Sequence, residues 1–89
     1  MSEIKLNQEI NKGQISETIL ENEVFKEAVS AIKADYMNQL ISTSYKDSDS
    51  RTAIWIAYHQ LDKIIGHLTE LMNTGKLASK QLEDIKTLK

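Results

Sequence analysis

Apolar residues recur along most of this chain at spacings of three and four, the signature of helices with one face turned inward. The clearest run is Ile54, Tyr58, Leu61, Ile65, Leu68 and Met72, a heptad seam with no skipped position. Beside it stand Ala57, Ile64 and Leu71, one every seven residues. This pattern predicts a helix over about 49–74, roughly 37 Å long at the rise of an α-helix. Gly75 follows as its expected C-cap. Upstream, Phe25, Ala28, Val29, Ile32, Tyr36, Leu40 and Thr43 keep the same spacing and predict a helix over about 23–43. Asn22 is its expected N-cap, because its side-chain oxygen and Glu23 suit the free amides of a helix start.

The loop between the two is about five residues, which favours antiparallel neighbours. The expected fold is all-α: an antiparallel helical hairpin (about 23–43 and 49–74) with short flanking helices at both ends. Ile15, Ile19 and Leu20 suggest the first flanking helix, and Leu77, Leu82, Ile85 and Leu88, capped by Ser79, the last. Residues 1–14 are polar with scattered apolar positions and read as a flexible N-terminal arm, either a frayed helix or a segment that orders on a partner, closed by Gly13. Residues 15–89 read as a single helical-hairpin domain with a fraying tail. Gly66, inside the long helix, is expected to mark a close approach of two helices, since glycine there costs about 1 kcal/mol relative to alanine.

A two-helix hairpin cannot bury both seams of the long helix together with Trp55. An 89-residue chain with no cysteine also has neither disulfides nor thiolate metal sites to stiffen it. The short first helix or the tail could cover the second seam within the chain, or a second copy could do so between chains; self-association is expected over a lone monomer, with Ile64 and Leu71 as interface positions.

Charge narrows the partners. Eleven basic and thirteen acidic residues are finely mixed, summing to −2 over 1–22 and +2 over 76–89. No concentrated basic face for nucleic acid emerges, and the tail lysines (Lys76, Lys80, Lys86, Lys89) give only a weak case for one. The longest apolar run, Ala53–Tyr58, is too short for a membrane span, and no signal-peptide pattern opens the chain. The expected location is the inside of a cell or an assembled particle.

The stretch STSYKDSDSRT at 42–52 is the most site-like. It begins as a calcium loop does, at Asp47 and Asp49. Arg51, Thr52 and Tyr58 then fall where an oxygen ligand, a glycine and a bidentate glutamate are required. Capping accounts for the acids better, with Asp49 or Ser48 at the start of the long helix and Arg51 pairing with Asp47 or reaching a partner. His59 and His67 lie too far around the helix to chelate one ion, and each has an acid three residues on, Asp62 and Glu70. Trp55, Tyr58, Tyr36 and Tyr45 gather at the hairpin tip, either as ordinary packing of the loop end or as an interface anchor. No Ser-His-acid set, phosphate loop or thiol nucleophile is present, so no enzyme activity, cofactor or metal is expected.

Single residues at fixed spacings carry one resemblance: Leu20, Asn22, Phe25, Ala28 and Tyr36, then Thr43, Asp47 and Arg51 at the loop. The pattern continues through Trp55, Leu61-Asp62, Gly66-His67-Leu68, Thr74-Gly75-Lys76-Leu77-Ala78 and Gln81-Leu82. In these the chain resembles a group of small helical proteins of unassigned activity, encoded near the head and packaging genes of tailed bacteriophages and prophages. The resemblance implies a virion or capsid-assembly role, with a larger phage structural protein as partner, in the host cytoplasm or the virion. The alternatives are a small regulator that blocks a host or phage enzyme, and an accessory nucleic-acid-binding factor in packaging. Tyr45, Arg51, Trp55, Tyr58, Ile64 and Leu71 are the expected partner-facing residues.

Overall fold

A computed structural model describes residues 2–88; Met1 and Lys89, the outer ends of the expected arm and tail, lie outside the described residues. Three helices and no strand make up the described chain: α1 (Glu3–Glu21), α2 (Glu23–Ser42) and α3 (Ser48–Thr87). The all-α expectation holds. Its arrangement differs from a hairpin with short flanks.

A single extended residue, Asn22, separates α1 from α2. Its N–H donates to the Ile19 carbonyl, closing one helix, and its Oδ1 accepts from the Phe25 N–H at 2.9 Å, opening the next. An Asn side chain competes well with the helical ladder, which is why the break falls here. At 19 and 20 residues, the two short helices together match the 40 residues of α3, and both run antiparallel to it. Gly13 meets Gly75 at one end, and Arg51 reaches Leu40 at the other. The result is a rod with extents of 66 × 25 × 15 Å.

Three expectations are corrected. Residues 3–21 form one helix through Gly13, where an arm closed by that glycine was expected. Gly75 does not cap α3, which runs twelve residues further. No described residue has a positive φ, the conformation a glycine cap requires. The segment expected as a separate final helix capped by Ser79 is therefore the continuation of α3.

The third correction explains the other two. A Cβ placed on Gly66 would meet nothing within 4 Å, so the expected close approach is not there. It lies between Gly13 and Gly75. A Cβ on Gly13 would stand 2.8 Å from the Gly75 Cα and 3.0 Å from the Leu71 carbonyl oxygen. A Cβ on Gly75 would stand 2.9 Å from the Glu9 carbonyl oxygen. Two helix backbones this close leave no room for any side chain, so both glycines are packing residues within helices. Ser16 and Ala78, three residues on from each, are buried in the same contact zone. The best-buried large side chain, Leu6, is 1% exposed and lies in the segment expected to be an arm.

α1 packs along α3 more extensively than α2 does, and α2 has no fully buried residue. The firm core is thus at the α1 end, and the end carrying the aromatic residues is the open one.

Candidate functional site

The corner between α2 and α3 uses its polar residues locally. Ser42 Oγ donates to the Asn38 carbonyl and Thr43 Oγ1 to the Gln39 carbonyl, closing α2. The Lys46 N–H donates to Ser44 Oγ, and the Asp47 N–H to the Ser44 carbonyl, which sets the turn. Asp47, not Asp49, is the N-cap of α3: its Oδ1 accepts from the Ser50 N–H at 3.2 Å. Asp49 stands in the first turn, where a negative charge suits the helix dipole.

Arg51 crosses from α3 to the end of α2. Its Nη1 donates to the carbonyls of Leu40 at 3.3 Å and Thr43 at 3.5 Å. Carbonyls at a helix C-terminus lack partners within the helix and carry its negative end, so a guanidinium suits them. Within the chain Arg51 is therefore a tie across the corner, bonded to α2 carbonyls and not to Asp47. Tyr45 projects from the corner with 80% of its surface exposed, and the Lys46 ammonium lies 5.8 Å from its ring centre.

Between α2 and the first half of α3 lies a half-open groove of about 220 Å³. Tyr36, Met37 and Leu40 line it from α2; Ile54, Trp55, Tyr58, His59 and Asp62 line it from α3. The Trp55 indole and the His59 ring meet at 4.0 Å between centroids, tilted by 55°, with Trp55 60% exposed. Beside the groove, the Lys33 ammonium lies 2.9 Å from Asp62 and 5.4 Å from the Tyr58 ring centre. The hydrogen bond to Asp62 raises the Lys33 pKa above its ordinary value, against a smaller opposing effect of desolvation.

The six expected partner-facing residues do not form one surface. Trp55 and Tyr58 share the groove, Arg51 ties the corner and lines a neighbouring depression with Trp55, and Tyr45 projects from the corner. Ile64, nine residues beyond Trp55, stands about 180° around the helix from it and is 59% exposed. Leu71 is half-buried. Of the two histidine–acid pairs, His67 Nδ1 lies 4.0 Å from Glu70, whereas Asp62 is taken by Lys33 and the His59 ring lies tilted against Trp55. Among the described residues, no three His, Cys, Asp or Glu side chains gather as a metal-holding group. No helix among them is long and apolar enough to cross a membrane.

Tyr36 joins Trp55 and Tyr58 as the aromatic cluster in the sequence suggests, whereas Met37 and Lys33 were not singled out from sequence as parts of a site. Tyr36 and Lys33 stand on the inward stripe of α2, where the helical repeat could have placed them. The pairing of Lys33 with Asp62 depends on the register between two helices, which one helix's pattern does not carry.

Comparison of the chain with protein-family models, curated proteins and solved structures finds no match.

Proposed function

We propose that this chain is a non-enzymatic structural or assembly protein of a tailed bacteriophage, acting by helix-mediated self-association and by docking on a larger virion partner. The observation that carries this reading is the poverty of the single-chain core. Leu6 and Ala78 are the only fully buried hydrophobic residues among those described, while Ile32, Met37, Trp55, Ile56, Ile64 and Leu77 are all more than two-fifths exposed. Exposed apolar surface of this extent on a small protein marks interaction sites. The residue spacings shared with small proteins encoded near phage head and packaging genes support placing those interactions in head structure or assembly.

A test is mass spectrometry of purified proheads and virions from a phage encoding the protein. A fixed copy number per particle is the expected result; absence from both would overturn the structural role. One observation favours the regulator alternative: a groove lined by Trp55, Tyr36 and Tyr58 is the kind of aromatic pocket that anchors a protein partner. Stoichiometric capture and inhibition of one host or phage enzyme, lost in Trp55→Ala, would decide for it.

A further inference from the structure

We propose that a second copy of this chain covers the flank of the α2–α3 pair that carries Ile32 and Ile64, leaving the Trp55 groove on the opposite flank free. This rests on the self-association in the reading above and specifies its surface.

Surface area argues that a second copy is the occupant. A compact monomer of 10.1 kDa exposes about 5,300 Å² by the usual scaling with mass. This chain exposes 6691 Å², an excess of about 1,400 Å² over that scaling. Its radius of gyration is 18.9 Å against about 12 Å for a compact domain of its length. Two protomers that each covered the excess would bury about 2,800 Å² in total, within the range of obligate homodimers. That range is also where interfaces are most apolar, as this surface is.

Helical phase and charge select the flank. Ile64 is about 180° from Trp55 on α3, and Ile32 is about 140° from Met37 on α2. In an antiparallel pair both isoleucines therefore fall on the side away from the groove. Ala57 and Ile64 lie seven residues apart there, with Ala28 and Ile32 on the same flank of α2; Leu71, the next in the repeat, already lies against Gly13 of α1. Alanines let helices approach closely, and the heptad repeat is what a second helix pair needs for interlocking side chains. A twofold interface sets like residues against like, so a charge near the axis meets its own copy. None of these four residues is charged, and Asp35, one heptad on from Ala28, accepts a hydrogen bond from Gln39 Nε2 at 2.8 Å within the chain. The opposite flank holds Lys33 and Asp62, already matched to each other within the chain.

The test compares Ile64→Glu, Ile32→Glu and Trp55→Ala with the wild type by light scattering and circular dichroism at equal concentration. The wild type and Trp55→Ala should have the same oligomeric mass; both isoleucine variants should show that mass halved. Ile64 is 59% exposed in the single chain, so loss of helix in Ile64→Glu while Trp55→Ala stays folded also supports the interface. A residue more than half exposed in the single chain affects folding that strongly only through the second copy. Isoleucine variants that stay folded at the wild-type mass, or dissociation by Trp55→Ala alone, would overturn this assignment and leave self-association standing. A monomeric wild type would overturn both.

Discussion

Three glycines in helices have opposite roles, and substitution separates them. Gly13→Ala and Gly75→Ala each force a Cβ into backbone atoms of the facing helix. Backbone cannot rotate away, so each should destabilise by about 1–3 kcal/mol despite alanine's higher helix propensity. Gly66→Ala meets open space and should stabilise by up to about 1 kcal/mol. Urea denaturation of the three variants checks this; the same sign for all three would contradict the Gly13–Gly75 contact. The signal was present in the sequence, where Gly13-x-x-Ser16 and Gly75-x-x-Ala78 each put two small residues on one helix face. Reading single glycines as stops hid it, because a glycine that ends a helix and one that lets a helix approach look alike until a partner is known. Lys33 gives a further residue-scale expectation. Asp62→Asn should return the Lys33 pKa towards its ordinary value of 10.5, read by NMR titration. Because the folded pKa is raised, the stabilisation from this pair is complete below the unfolded value and lost as pH rises through the folded one.

At the scale of elements, the boundary residues of α2 were legible and those of α3 were not. Asn22 caps as its sequence context predicts, since a cap is set by a few adjacent residues. Asn22→Ala should cost about 1 kcal/mol, visible as a lower thermal midpoint. At the corner, the acids at 47, 49 and the hydroxyl between them all satisfy the capping pattern, and only backbone geometry selects Asp47. Asp47→Ala should therefore cost more stability than Asp49→Ala, which loses only a favourable charge near the helix start. Arg51→Ala should cost about 1 kcal/mol by removing the hydrogen bonds to the Leu40 and Thr43 carbonyls, the first of which still accepts from the Thr43 N–H, and Arg51→Lys should recover little, having no planar fork. A large loss of binding with unchanged stability would instead make Arg51 a partner contact. The far end of α3 escaped sequence reading because the inward stripe beyond Gly75 passes through Ala78, Leu82 and Ile85 with one extra spacing of three. That irregularity resembles a helix end, and only the packing of α1 shows that it is not one.

For the whole molecule, the two short helices laid end to end against one long helix give a rod that is well packed where α1 meets α3 and open where α2 does. Packing two helices on one leaves both flanks of the second pair uncovered, which is why apolar residues remain outside on opposite sides. The sequence carried the surplus of apolar positions, but not its division between a groove and a flat flank, since that depends on the phase of α2 against α3. The central claim is that the single chain is not the complete folded unit. Its most direct test is the mass of the wild-type protein in solution across a concentration series, by sedimentation equilibrium. The account predicts a mass of at least twice 10.1 kDa, with helix content lost on dilution as the assembly dissociates. A stably folded protein of 10.1 kDa at every concentration would contradict it.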